Sequence, residues 1–488
     1  MRVITRSEYT SKVVVSLVAL VAAACQGRLA VTDDPIGNGG SGQVPPIGNG
    51  GSAVNPEHDA GTGGTGGFVS VDAVNPEPEP TCDDGVRNGD ETGLDCGGAC
   101  AACVTPCDCA SSAAFMALGC ELGLGGGTPV GYANSPRPSA DGNAVAFDLC
   151  YEDNSCKPFY WSLTGGAAAM PALPGGASVS GLSADGSKAL VHPLQALAAQ
   201  ALLYDVQAGT SEPTGILPHS ALLSASGSVV GFSSTTNDSS QLARKAPGGQ
   251  LEQLGEIPLP ADRVLLTGVA LDASAIVGYG WDPQNAYVSF RWTQADGIVL
   301  GAGTLPEGAD AAIITALSGD GTSFAGVTLA GNRRLSVFHS SAATGLVEVG
   351  PALLYDTPGI DPLVMALNGD GSVLAATLNI DTDGFGAFRW TEATGAVAMA
   401  PGTQSVASHV SADGAVVIGK TLDDQYGPFA WTEAAHTRSV RATLESAGVD
   451  FRGWTTHSIM ALSSDGKVAI GSGSCGDTQT LYRVVLPE

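Results

Sequence analysis

The 488-residue chain carries 48 acidic against 21 basic side chains, a net charge of −27, yet only 14% of its residues are charged. That balance excludes a nucleic-acid surface, because phosphate binding needs a cationic face. The 67 glycines point to many turns, and so to one large all-β domain with attachments rather than to several helical domains.

At the N-terminus, Arg2, Arg6 and Lys12 flank or precede an apolar run from Val13 to Ala24, which is too short to span a bilayer as a helix. The run ends in Leu20-Val21-Ala22-Ala23-Ala24-Cys25, which resembles a lipobox. The resemblance implies removal of residues 1–24 and acylation of the Cys25 sulfur, with two or three chains giving a stable membrane anchor. An ordinary signal peptide cut after Ala24 is the alternative. Gln26 stands where an aspartate would hold a lipoprotein in the inner membrane. An outer-membrane lipoprotein, facing the periplasm or the cell surface, is therefore expected. Of the 11 cysteines, ten remain once Cys25 is set aside, an even number suited to disulfides in an oxidising compartment.

Residues 25–81 comprise the anchor and a low-complexity linker. Ile36-Gly37-Asn38-Gly39-Gly40-Ser41 recurs at Ile47 to Ser52, and Ala53-Val54-Asn55-Pro56-Glu57 recurs at Ala73 to Glu77. Such Gly-, Pro- and Ser-rich sequence cannot bury a core and is expected to stay disordered. As a coil it would reach about 40 Å, and fully stretched about 190 Å. Residues 82–109 hold Cys82, Cys96, Cys100, Cys103, Cys107 and Cys109, read as disulfides of open connectivity. Cys82-x-Asp84-Gly85, Asn88-Gly89, Glu91 and Asp95-Cys96-Gly97-Gly98 resemble a short Cys-rich module of bacterial surface proteins, with Glu91 one position late. Calcium on its carboxylates is the alternative to a disulfide-held turn.

Residues 110–488 repeat. A Ser-Ala-Asp-Gly type turn recurs at Asp141, Asp185, Asp320, Asp370, Asp413 and Asp465, with degenerate copies at Ser226-Gly227 and Asp272-Ala273. Some 16 to 18 residues later begins an aromatic strand: Phe159-Tyr160-Trp161, Phe290-Arg291-Trp292, Phe388-Arg389-Trp390 and Phe429-Ala430-Trp431. In the weaker units the spacing puts Leu202, Leu242, Val337 and Leu481 at the first Phe site, and His339 at the Trp site. Eight four-stranded units of about 45 residues predict an all-β fold, a β-propeller of eight blades, with seven as the alternative. The last unit has room for three strands, so a segment near residues 112–123 is expected to supply its fourth. Cys120 and Cys475 are then expected to bridge the seam, and Cys150 and Cys156 to bridge a local hairpin. Val440 and Leu444, at i and i+4, predict a short helix stopped by Gly448.

Four residues before each turn Asp, small residues prevail: Gly181, Gly268, Ala316, Ala366 and Ala461. Arg137, Leu222 and His409 break that pattern, and the polar Arg137 and His409 are expected to line the central channel, unless their blades are simply irregular. The repeat Ser-x-Asp-Gly, then Phe-Arg-Trp-Thr, with Val440-Arg441, Leu444 and Ala447 to Trp454 leading into Ser464-Asp465-Gly466, resembles the HAF repeats of exported bacterial proteins. The resemblance implies a propeller-like extracellular domain and no general activity or site.

Catalytic motifs are missing: the chain has no HExxH or G-x-S-x-G string. Asn379, Asp381 and Asp383 match the start of a calcium loop, but Trp390 stands where the bidentate acid belongs, so no cofactor is expected. The expectation is a monomeric, non-enzymatic binding or scaffold module, anchored to a membrane and engaging a protein or polysaccharide through the loops at one end of the ring. A propeller hydrolase or lyase and a purely structural envelope component are the alternatives. Three or more charged side chains converging on the channel would favour the enzyme.

Overall fold

The structure, a computed structural model, describes residues 114–118, 133–150, 156–170, 177–193, 200–236, 238–259, 263–330, 333–349, 363–379, 385–421, 427–451, 453–475 and 478–487. The leader with Cys25, the linker, the Cys-rich module and residues Cys120, Asp381 and Asp383 lie outside them.

Each repeat folds into a four-stranded antiparallel sheet, and there are eight, so the fold is an eight-bladed β-propeller. The seventh blade shows the plan. Ser405–Val410 is the innermost strand, followed outward by Val416–Thr421, Pro428–Thr432 and His436–Ser439. The innermost strands of blades 1 and 2 are Ala133–Pro138 and Ala177–Leu182. Blade 8 begins with Thr455–Leu462 and takes its outermost strand from the other end of the chain, where Phe115–Ala117 pairs with Thr478–Val485. This is the closure expected from the short last repeat.

The repeated turn explains its own sequence. In Ser411-Ala412-Asp413-Gly414 the Ser411 hydroxyl donates to Asp413 at 2.6 Å and accepts the Val416 N–H, while Asp413 accepts the Ala415 N–H. The same bonds recur at Ser183/Asp185, Ser318/Asp320 and Ser463/Asp465. The turns also join the blades. Backbone N–H groups at 140, 184, 226, 271, 320, 369, 412 and 464 each donate to the next blade's turn carbonyl at 2.8–2.9 Å, the last one returning to Ala140. Eight bonds thus close the circle, which settles the blade number at eight.

Gly414 is needed twice over, because its φ is +74° and a Cβ there would stand 2.4 Å from Val373 Cγ2 of the preceding blade. Gly414→Ala is expected to cost about 2–3 kcal/mol, from the left-handed backbone and the inter-blade clash together. Thermal or urea unfolding would check this, and an unchanged midpoint would refute it.

The seam between the last and first blades is also sealed by side chains. Arg483, on the last strand and 5% exposed, donates from Nε to the Gly142 carbonyl at 2.9 Å and from a second nitrogen to Asn143 Oδ1. Phe115 packs against Phe451 and Tyr482, at centroid distances of 4.8 and 5.9 Å. The predicted helix spans Val440–Ser446, buries Val440 and Leu444, and is N-capped by the Ser439 hydroxyl, with Gly448 beyond it at φ +83°. Cys150 and Cys156 form the expected hairpin disulfide. Cys475 is disulfide-bonded as well.

Pairing register corrects the aromatic alignment in two blades. Phe290 faces Gly278 and Phe429 faces Gly419 across the second and third strands. In blade 5 the residue facing the corresponding Gly326 is Phe338, and in blade 8 the residue facing Gly471 is Tyr482. Val337 and Leu481 are therefore each one place short of the aromatic site. His339 correspondingly falls at the site of Arg291 rather than of Trp292. Counting from the turn misplaces them because the loop between second and third strands varies in length, whereas the ladder does not. His339 stacks on Trp390 of the following blade at 4.9 Å, much as Arg389 lies over Trp431 and Arg244 over Trp292.

Candidate functional site

The innermost strands surround the propeller axis, and seven of the eight carry a register shift just before the small-residue position. After the bulge, a Cβ on Gly181 would meet Leu223 Cβ at 2.7 Å, and one on Gly268 would meet Leu317 Cβ at 2.8 Å. The site is small because the next blade's leucine crowds it. Arg137 and His409 occupy that same site on blades 1 and 7, flanking Ala461 of blade 8. Neither is fully buried, so solvent reaches both although they lie on innermost strands.

Arg137 makes no hydrogen bond or ion pair among the described residues, and its Nε is sealed from water without a partner. Nδ1 of His409 is likewise unpartnered. Burial pushes His409 down to about 4, and the Arg137 charge pushes the same way. The guanidinium is thus a fixed positive charge with an uncommitted donor, inside a protein of net charge −27.

One level further from the turns lie groups that the sequence reading did not single out. Asp148, on the second strand of blade 1, accepts from Ser178 Oγ at 2.5 Å and from the Val179 N–H at 2.8 Å, both on the innermost strand of blade 2. Burial raises its pKa to about 6 against the opposing pull of those two bonds and of Arg137. His192 Nε2 lies 2.9 Å from Ser180 Oγ. Burial holds His192 down to about 4, helped by the charges of His219 and then Arg137. His219 is exposed, on the short 3-10 turn Pro218–Ser220 that leads into blade 3. Asp148 and His192 hold equivalent places, each seven residues after its turn Asp, where the other blades have Ser233, Tyr279, Val327, Thr377, Lys420 and Ser472. Aligning second strands would have exposed them. Thr377 caps the Ala407 N–H beside the next bulge, as Asp148 caps that of Val179, so part of Asp148's work is structural.

The site is therefore layered. Exposed Asp141, Asp185, Asp272, Asp320, Asp370, Asp413 and Asp465 ring the turn end. Hydrogen bonds from Ser183 and Ser411 and from the Ser187 and Ala415 N–H groups hold Asp185 and Asp413 below the usual carboxylate range. Arg137 and His409 come next, then Asp148, His192 and Ser180, and His219 outermost. Near neutral pH Asp148 is largely ionised, while His192 and His409 are neutral. Among the described residues no group of three or more His, Cys, Asp or Glu gathers to hold a metal. Of the weak calcium set, Asn379 ends a strand, and Asp381 and Asp383 fall outside the described residues.

Arg137→Ala installs the residue that blades 5, 6 and 8 use at this site. It is expected to stabilise the fold by no more than about 1 kcal/mol, because removing a half-buried charge also removes the cation that acts on buried Asp148. Urea unfolding reads this directly, and a loss of stability would show the guanidinium to be structurally employed.

No family model matches the chain, and no curated protein matches it. Among solved structures it is similar to a prolyl endopeptidase at 12% identity and a TM-score of 0.44, covering 71% of this chain and 55% of that one. It is similar to the β-propeller domain of the trilobed protease from Pyrococcus furiosus, described as having an open velcro topology, at 12% identity and a TM-score of 0.40, covering 63% and 97%. TolB from Acinetobacter baumannii follows at 13% identity and a TM-score of 0.31, covering 63% and 79%. The chain spans little more than half of the prolyl endopeptidase, and none of these likenesses bears on activity.

Proposed function

We propose that the protein is a binding module held outside the cell, with Cys25 as its lipid anchor, residues 26–81 as a spacer and the propeller as the part that engages a ligand. The HAF-like repeat and the outer-membrane destination belong to the same reading. The observation that carries it is Arg137, whose Nε is buried without a hydrogen-bond partner at a place where the fold prefers alanine or glycine. A buried donor that the fold leaves unused is best explained by a ligand.

A hydrolase is the second reading, favoured by the Ser180–His192 contact at 2.9 Å. A nucleophile needs a competent base, however, with a third group to orient it. His192 titrates near 4, and among the described residues its hydrogen bond is to Ser180 alone. Asp148 is committed to Ser178 and Val179.

The test immobilises the detergent-solubilised full chain and measures saturable binding to purified envelope polysaccharides and outer-membrane proteins. Binding to one of these by the wild type, weakened in Arg137→Ala, is the expected result. Absence of saturable binding, together with ester or peptide turnover that Ser180→Ala abolishes, would replace the module with the hydrolase. Radiolabelled palmitate should enter the wild type and not Cys25→Ser.

A further inference from the structure

The structure assigns to the channel a binding site for a carboxylate group, clamped between Arg137 and His409. This rests on the reading of the channel as a ligand site and names the chemistry it takes.

Arginine stays protonated in any protein, so Arg137 brings one fixed positive charge, and no carboxylate of the described residues is bonded to it. Guanidinium donors form a planar fork matched to a carboxylate. His409 holds the equivalent register site on blade 7, with Ala461 of blade 8 between them. Its Nδ1 is unpartnered, and the Arg137 charge acts on the ring. In the neutral ring Nδ1 can carry the proton and donate to an anion, and no bonded carboxylate competes for it.

Valence follows from the same residues. One unpaired cation, with Asp148 nearby and already bonded to Ser178 and Val179, suits a monoanion better than a phosphate dianion. Direction follows from the layering. The turn end carries seven exposed carboxylates, whereas the opposite end has exposed Asp238 and Asp310 and also exposed His219, which leads to His192 and then to Arg137, so entry is from that end. Ser180 and Ser178 provide hydroxyls beside that path.

The experiment titrates sodium acetate into the detergent-solubilised full chain and follows the thermal midpoint. Sodium chloride and sodium phosphate at matched ionic strength run in parallel. Acetate is expected to raise the midpoint saturably and above chloride. The apparent affinity should fall about ten-fold or more in Arg137→Ala, as for loss of a charge-assisted pair. His409→Asn should weaken it less, and it provides a second readout should Arg137→Ala not fold. Equal shifts in acetate and chloride, or an acetate shift intact in both variants, would overturn the site. Phosphate acting as strongly as acetate would overturn the carboxylate assignment. Failure here stays separable from failure of the binding module: saturable binding of an envelope component that survives Arg137→Ala would keep the module and remove this site.

Discussion

Phe115→Ala is expected to lower unfolding stability by about 3–5 kcal/mol, the largest effect of any single truncation proposed for this chain. Phe115 sits on the three-residue strand Phe115–Ala117 that completes blade 8, and it is 4% exposed. Its ring meets Phe451 at 4.8 Å and Tyr482 at 5.9 Å, so truncation opens a cavity between the first ordered strand and the last blade. The backbone pairing of Phe115 with Val484 and of Ala117 with Tyr482 would persist but lose its anchor. Phe115→Asp goes further, because it buries a charge with no partner and should release the strand. Denaturant unfolding of both variants tests the point. Peptide-resolved hydrogen exchange should show the earliest loss of protection at Thr478–Val485 rather than in blades 3 to 6. A midpoint change below about 1 kcal/mol, against the cavity range for buried aromatics, would mean that the closing strand contributes little.

Acidification is expected to destabilise the fold before any of the turn aspartates protonates. His192 and His409 have folded values of about 4 against an ordinary 6.5. Their contribution is complete above the unfolded value and is lost as pH falls from 6.5 through 4. Asp148 has the opposite sign: its folded value of about 6 exceeds the ordinary 3.8, so its contribution is present below 3.8 and lost as pH rises through 6. Two histidines outweigh one aspartate. The net loss between pH 7 and pH 4 should be about 2–4 kcal/mol. His409→Asn removes one titrating group and should flatten the curve by a large part of that loss. Urea unfolding at several pH values decides it, and a stability that rises on going from pH 7 to 4.5 would assign the dominant role to Asp148 instead.

Much of the architecture is legible in the chain because the repeat writes it eight times. The Ser-x-Asp-Gly turn needs its serine to cap a buried amide and its glycine for a positive φ, so both residues recur wherever the chain makes that turn. Val440, Leu444 and Gly448 disclose the helix for a similarly local reason. Arg137 and His409 were visible as a break in the small-residue pattern of the innermost strands. Asp148, His192 and Ser180 were not, because each looks ordinary within its own strand. They become a group only when blade 1 is laid against blade 2. The misplacement of Val337, Leu481 and His339 has a related cause, since loop length shifts the count along the chain while pairing across the ladder stays in step.

What the sequence determined by itself, then, was the unit: a four-stranded blade, its turn, its length and the shortage of one strand at the C-terminus. Those follow from hydrogen bonding and side-chain alternation within some 45 residues. What only the tertiary structure decided was the number of blades in the ring and the identity of the group around Arg137. Eight turn-to-turn bonds close the circle, and no stretch of chain contains more than a fraction of them. The channel group draws on blades 1, 2, 3 and 7, so its members become neighbours only when residues some hundreds apart are brought round one axis.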